Sequence, residues 1–352
     1  MFNDIKHILE SETIAASAPC RIDMGGTIDI RTFYLPMRHL LPCTFNMAID
    51  LRTRVRLLPH RKGFVKISST GFASAEYPFD RIPFDHSLGL MFNIAAYFQI
   101  HGIWIDIESK SPPRSALGGS SAAAVALIAA LAKLAEHLGS SERYSRAKAA
   151  LAAFALEESA AGVPCGFQDH LAAAYGGVNA WHWQGGISGP VFKRQVVVRK
   201  EGHKDLEQHL LLAYCGRPHK SIDVNGRWVR QFLSGRHRDL WTKIISCTRQ
   251  FVEALRNRDL RKASILMNQE TDIRRKMTPD VLDRIGKKLV AAAGMGNCGA
   301  RFTGAGGGGC IWALGEIEAI DRLRLVWEEI LSTKKQACLL KVKIDSRGLV
   351  VD

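Results

Sequence analysis

"SPPRSALGGSSAAAVALIAALAKL", residues 111–134, runs from two prolines through a turn of small residues into a long Ala/Leu-rich stretch. It follows a strand-like segment, "GIWIDIES" (102–109), and reads as a helix over Ser120 to Leu138. Glycine and serine stabilise a helix interior poorly, so their place at its start implies that something must come close to the first turn. A helix leaves its first four backbone N–H groups unpaired and carries partial positive charge there, which makes that end receptive to phosphate. Gly118 and Gly119 remove the Cβ obstacle, while Ser120 and Ser121 add hydroxyls that can cap the helix, bind a phosphate oxygen or ligate Mg²⁺. The Gly-Lys-Ser/Thr ending of the common P-loop is missing, and no G-x-G-x-x-G follows a first strand. On this stretch alone, a Ser-capped structural helix and an anion site both remain open.

Two further stretches break the tie. "GAGGGGC" (304–310) sets five glycines in six positions between short strands, where glycine marks backbone brought near a ligand or another segment. "APCRIDMGGTIDI" (18–30) groups Arg21, Asp23 and Asp29 around a Gly-Gly turn that includes Gly26 and Thr27. Such a cluster can grip a polar ligand.

The rest of the chain sets the frame. At 352 residues two domains are expected, with a boundary near residue 185, giving units 1–185 and 186–352. Residues up to about 70 read as mainly β, followed by helices over Glu142 to Ala161 and Gln168 to Tyr175. "GGVNAWHWQGGISGP" (176–190) reads as strand, turn and crossover. Beyond it come two strands, helices over roughly 221–294, the glycine loop, a helix over Glu316 to Leu331 and a last strand over Ala337 to Asp345. The eight cysteines form no Cys-x-x-Cys pair, which points to free thiols rather than a zinc site or disulfides. The start shows no basic segment with an apolar core and cleavage site, and the longest apolar run, Ala122 to Leu131, is shorter than a bilayer requires. A cytoplasmic protein with no membrane partner is the expectation. Lys plus Arg exceed Asp plus Glu, 48 against 34, and the net charge of +14 favours anionic partners without selecting among them. The Arg- and Trp-bearing segment "GRWVRQFLSGRHRDLWTK" (226–243) reads as a solvated helix face with buried aromatics, so no nucleic-acid partner is expected.

The three small-residue loops, in this order, resemble those of the GHMP kinase superfamily, named for galactokinase, homoserine kinase, mevalonate kinase and phosphomevalonate kinase. "APCRIDMGGTID" is similar to its first motif, "PPRSALGGSSAA" to its phosphate loop and "RFTGAGGGGC" to its third motif. Where the family usually has Gly-x-Gly-Leu-Gly-Ser-Ser, this chain has Arg114, Ala116 and Gly119 at the first Gly, second Gly and first Ser. The resemblance implies an α+β, two-domain GHMP kinase fold: an N-terminal mixed-sheet domain with a left-handed βαβ crossover, and a ferredoxin-like C-terminal domain. It implies ATP and Mg²⁺ as cofactors. Leu117, Gly118, Gly119, Ser120, Ser121 and Arg114 would bind the nucleotide together with Gly304, Gly306 and Gly307.

"EESAAGVPCGFQDHLAAAYGGVN" (157–179) resembles the family segment carrying a Glu before a loop and an Asp opening the next helix. By that likeness Asp169 is the base that takes the acceptor's hydroxyl proton, with Arg21 beside it to favour the ionised form. Ser120 and Glu157 would hold the metal, with Glu158 as the alternative carboxylate. Asp29 resembles the Asp that holds sugar hydroxyls in the sugar-kinase branch, although the order here is Gly-Gly-Thr-Ile-Asp rather than Gly-Gly-x-Thr-Asp. Asp23, Gly26 and Thr27 are further substrate candidates. The heptose-phosphate kinase and fucokinase group is the nearest in pattern, which implies phosphorylation of the anomeric hydroxyl of a heptose, fucose or related sugar or sugar phosphate, by a monomer or homodimer. A silent ligand sensor on the same fold, a kinase of a non-sugar alcohol and a diphosphate-dependent decarboxylase are the competing readings.

Overall fold

Apolar residues alternating with arginines in 51–57 favour an extended chain with one face buried, and the strand they form organises the first half of the protein. The computed structural model describes residues 2–162, 164–185, 190–216 and 224–352. The strands are β1 (Ile14–Met24), β2 (Cys43–Pro59), β3 (Phe64–Ser69), β4 (Ala75–Pro78), β5 (Ile103–Ser109), β6 (Val178–Trp183), β7 (Phe192–Val198), β8 (Leu210–Tyr214), β9 (Gly299–Phe302), β10 (Cys310–Leu314), β11 (Cys338–Leu339) and β12 (Val350–Val351). The helices are α1 (Phe2–Ser11), α2 (Arg31–Tyr34), α3 (Gly89–Tyr97), α4 (Gly119–His137), α5 (Arg146–Ala161), α6 (Gln168–Tyr175), α7 (His203–Gln208), α8 (Val224–Leu233), α9 (Arg238–Arg256), α10 (Leu260–Met277), α11 (Arg284–Met295) and α12 (Ile317–Ser332).

The first sheet has eight strands in the order β12-β1-β2-β5-β3-β4, with β6 on β2 and β7 on β6. β2 is long enough to serve two neighbours on one side: Cys43–Met47 pairs with β6 and Thr53–Pro59 with β5. Among the described residues, only β3 and β5 run parallel in this mixed sheet. The second sheet is antiparallel, β11-β8-β10-β9, and is covered by α10, α11 and α12. This is the expected α+β organisation in two units.

α4 lies against β1 and β2, flanked by α5 and α6. Its alanines allow that close approach: Ala124, Ala126 and Ala130 are fully buried, while Leu127, Ile128, Leu131 and Leu134 fill the space between. Each such large side chain contributes about 1.5–3 kcal/mol by leaving water. Among the described residues α4 alone has the length and apolarity of a membrane span, with a mean hydropathy of 1.4, yet 72% of it is buried inside the protein. It is a core helix, longer than the Ala122–Leu131 run because Ser120, Ser121, Lys133 and His137 sit within its two ends.

Some boundaries differ from expectation. α5 starts at Arg146 rather than Glu142, because Ser145 is extended and its side chain accepts the Lys148 N–H as an N-cap. Only Cys338–Leu339 of the expected last strand joins the second sheet. Further on, Ile344 bridges to Ile49, the Asp345 N–H donates to the Ala48 carbonyl, and β12 pairs with β1. The boundary expected near 185 falls inside the β6–β7 hairpin, which joins Trp183 to Phe192, so the change of sheet comes after Val198. The parts of the expected crossover and helical run at 186–189 and 221–223 lie outside the described residues. No disulfide joins any of the eight cysteines, and six of them are buried.

Candidate active site

The end of β1, the start of α6 and the loop before α4 converge on one ion pair. Arg21 on β1 donates Nε to Asp169 Oδ1 at 2.7 Å and Nη2 to Asp169 Oδ2 at 2.6 Å. Its Nη1 reaches the Ala116 carbonyl at 2.7 Å, and its backbone N–H reaches the Leu117 carbonyl at 2.9 Å. One residue therefore ties the phosphate loop and the helix bearing Asp169 to the sheet. Burial opposes its charge, but Asp169 and Asp23 outweigh that and hold the guanidinium above the ordinary arginine range. The Asp169 side chain keeps 23% exposure, against 5% for that of Arg21. Gly118, with φ +75°, sits so close that a Cβ there would be 3.4 Å from Asp169 Oδ2.

Glu157 of α5 faces the first turn of α4. Ser120 Oγ donates to its Oε1 at 3.4 Å and Ser121 Oγ to its Oε2 at 3.1 Å. His170 Nε2 lies 2.7 Å from Oε2, a close contact not aligned as a hydrogen bond. Burial raises the Glu157 pKa, but His170 and the two serines more than offset it, so the carboxylate lies below its usual range. Glu158 instead points outward, 3.8 Å from Arg31 and 40% exposed. Of the two carboxylates, Glu157 is the one that faces the first turn of α4. A hydroxyl and an ionised carboxylate are hard oxygen donors, and among the described residues no three His, Cys, Asp or Glu group as metal ligands. That sparse donor set fits Mg²⁺, which takes one or two protein oxygens and completes its shell with phosphates and water.

The glycine loop between β9 and β10 lies under the phosphate loop. A Cβ on Gly309 would stand 2.5 Å from the Ser115 carbonyl oxygen, and one on Gly304 would stand 3.3 Å from that of Ala116. Gly304 and Ala305 line the cleft described below, whereas Gly306 packs on Val281 and the Gly307 N–H donates to the Val281 carbonyl at 2.8 Å. Those two expected nucleotide contacts are therefore loop anchors.

The first-motif turn departs further from expectation. Asp23 is fully buried: its Oδ1 accepts the Gly304 N–H at 2.7 Å, and its Oδ2 meets Arg301 at 3.2 Å. It holds the glycine loop and is not among the residues that line the cleft. Gly26 and Thr27 form the turn itself, with the Gly26 carbonyl accepting from Arg274 at 2.6 Å and Thr27 at φ +79° and buried. Neither lines the cleft. Asp29 Oδ2 accepts the Gln168 N–H at 3.0 Å, capping α6, while Asp29 Oδ1 and Gln168 Oε1 are buried with no partner. Burial pushes the Asp29 pKa up to about 6, with the Asp169 charge adding to it.

The cleft has a volume of about 560 Å³ and contains Arg21, Asp169, Glu157 and the whole run Arg114–Ser121. Its far end is apolar, with Phe72, Leu90, Met91 and Ile107 beside Thr70 and Ser109. Sequence reasoning missed that end, because these residues are scattered over the turn after β3, α3 and β5 and carry no motif.

Residues 88–177 match the GHMP kinases N terminal domain, and residues 251–331 match GHMP kinases C terminal. The chain belongs to the GHMP kinase superfamily. Galactokinase of Lactococcus lactis, solved with galactose, superposes on this GHMP kinase with TM-score 0.72 at 16% identity, covering 99% of this chain and 97% of that one. A D-glycero-D-manno-heptose 1-phosphate kinase from Bacteriodes thetaiotaomicron gives 0.70 at 14% identity, with 96% and 98% covered. Phosphomevalonate kinase of Streptococcus pneumoniae, solved with phosphomevalonate and AMPPNP, gives 0.70 at 15%, with 94% and 100% covered. No curated protein matches the chain closely enough in sequence to count as a relative. Membership makes the protein a phosphotransferase with an alcohol acceptor.

Proposed function

We propose that this GHMP kinase transfers the γ-phosphate of ATP to a hydroxyl of a sugar or sugar phosphate, favouring the anomeric hydroxyl of a heptose, fucose or related sugar. The observation that carries the reading is the bidentate Arg21–Asp169 pair at the rim of a cleft that also holds the first turn of α4 and Glu157. The free N–H groups of that turn receive the polyphosphate, and the apolar far end receives the nucleoside. Ser120 Oγ and Glu157 Oε1 would hold Mg²⁺, which supplies neutralising charge for the phosphates. Asp169 accepts the acceptor's hydroxyl proton as the oxygen bonds to the γ-phosphorus. The bond from that phosphorus to the β–γ bridging oxygen breaks, and ADP leaves with its electron pair. Arg21 fixes the orientation of Asp169 throughout.

Asp29 Oδ1 and Gln168 Oε1, two buried acceptors without a partner beside the helix of Asp169, would be satisfied by the hydroxyls of a polyhydroxylated acceptor once the turn opens to the cleft, which neither residue lines. The net charge of +14 would draw an anionic acceptor as well as ATP. The test is ADP release over a panel of free and phosphorylated sugars, repeated with Asp169→Asn. Turnover should fall at least about 100-fold, the usual worth of a general base, with nucleotide affinity nearly unchanged by calorimetry. Wild-type turnover in the variant removes Asp169 from the mechanism. ATP binding without acceptor-dependent ADP release would leave a ligand sensor.

A further inference from the structure

A second set of charges lies behind the catalytic pair, wholly inside the protein. Glu270 of α10 accepts from Arg274 Nε at 2.8 Å on one oxygen and from Arg301 Nε at 2.8 Å on the other. All three side chains have 0% exposure. From Arg301 one arm continues to Asp23, and from Asp23 to the Gly304 N–H and to Arg21, whose Nη1 is 3.4 Å from Asp23 Oδ1. From Arg274 the other arm ends on the Gly26 carbonyl at 2.6 Å. The Arg274 guanidinium is also held 4.7 Å from the ring centroids of both Trp228 and Trp241. Charges alternate in sign along the whole path: Asp169, Arg21, Asp23, Arg301, Glu270, Arg274.

Stability alone does not account for such a path. Desolvating buried ions costs as much as their attraction returns, and apolar side chains of similar volume often serve as well. Burial opposes the Glu270 charge, yet Arg301 and Arg274 hold its carboxylate below the usual range, while burial pulls Arg274 below its own. What the path does provide is fixed geometry between parts of the chain far apart in sequence. One arm sets the glycine loop and Arg21, and the other sets the turn that leads to Asp29.

We infer that Glu270 is a positioning residue: by holding Arg301 and Arg274 at one separation, it keeps the acceptor-side turn at Gly26 in register with the Arg21–Asp169 pair. The inference rests on the kinase reading above. In-line transfer needs the reacting atoms within about 3–3.5 Å, and a misplacement of about 1 Å costs on the order of 100-fold in rate.

Glu270→Gln alone would leave two buried arginines sharing one neutral group, so a charge-balanced variant is the better probe. Glu270→Leu combined with Arg274→Met removes one whole arm and leaves the Arg301–Asp23 pair intact. In that variant kcat should fall about tenfold or more and the KM for the acceptor should rise, since the turn loses its register. The Kd for AMPPNP should stay within about twofold, because the first turn of α4, Ser120 and Glu157 are untouched. Arg274→Lys, which keeps the charge but loses the fork to Glu270 and Gly26, should show the same split in weaker form, and it decides the matter should the double variant not fold. Unchanged kcat and acceptor KM in a folded variant would overturn the inference and leave the kinase reading standing. Equal weakening of AMPPNP binding would also overturn it, by showing a loss spread over the whole fold. Absence of acceptor-dependent ADP release from the wild type overturns both.

Discussion

The phosphate loop and the glycine loop beneath it make the same demand on the backbone and meet it differently. In the glycine loop every left-handed position, Gly304, Gly306, Gly307, Gly308 and Gly309, is a glycine. In the phosphate loop only Gly118 is; Arg114 at φ +55° and Ala116 at φ +60° hold the same conformation with side chains. The left-handed region costs a non-glycine residue roughly 1–2 kcal/mol, which a well-packed fold can carry. A Cβ placed inside another backbone is a different matter. Gly309 is where the two loops touch, and glycine is required there by contact as well as by conformation. The Arg114 side chain instead stands exposed over the cleft, 6.0 Å above the Phe72 ring.

Gly309→Ala is the strongest way to break this comparison. The new methyl would meet the Ser115 carbonyl at 2.5 Å with φ held at +85°. Strain and overpacking together should remove about 3 kcal/mol of stability, read from the denaturation midpoint in urea. Nucleotide affinity should drop with it, because the displaced Ser115 belongs to the phosphate loop. A loss under about 1 kcal/mol would mean that the loops are not locked together as described.

The same division, between what local pattern reveals and what only contact reveals, governs how much was legible beforehand. α6 was legible to the residue, and α4 within one, since an apolar Ala/Leu run between small-residue breaks has few alternatives. The start of α5 was misplaced because Ser140, Ser141 and Ser145 are all plausible caps, and tertiary geometry selects Ser145. The end of the chain was misread because its partner is β1, more than three hundred residues earlier. In the site, Arg21, Asp169, Ser120 and Glu157 were reached through the resemblance to the family's motifs, and they do stand together. Asp23 was misjudged: a carboxylate beside a Gly-Gly turn looks available, and nothing local announces that Arg301 and the Gly304 N–H take it up. Glu270 and Arg274 sit in an ordinary amphipathic pattern, so their role had no signal in sequence at all.

Cost is stored as charge on the acceptor side, where the phosphate loop stores it as backbone strain. Asp29 is buried with one oxygen unpartnered, and its pKa is raised from 3.8 to about 6. Raising an acid's folded pKa means that its contribution to stability is full below the unfolded value and is lost as pH rises through the folded one. The wild type should therefore lose on the order of 2 kcal/mol from this group between pH 4 and 6, with little further change from it above that. Asp29→Asn keeps an oxygen for the Gln168 N–H and removes the ionisation. Measured at pH 7.5, it should be the more stable protein, with the advantage vanishing near pH 4, while acceptor KM rises. Equal stability of the two proteins across that range would show that the carboxylate is paid no penalty by its surroundings.

Arg114→Gly carries the smallest expected effect and sharpens the opening contrast most. Glycine accepts φ +55° without steric cost, but it gives the unfolded chain more freedom, which takes back about 0.4–1 kcal/mol. The net should be a small gain in stability, about 0.5 kcal/mol, where Gly309→Ala loses several times that. Nucleotide affinity separates two roles for the side chain. If Arg114 reaches the polyphosphate, the variant binds AMPPNP more weakly and with a shallower dependence on salt while being no less stable, which a purely structural arginine cannot produce. A variant that loses stability outright would show instead that the arginine, and not the fold around it, holds the loop in its left-handed turn.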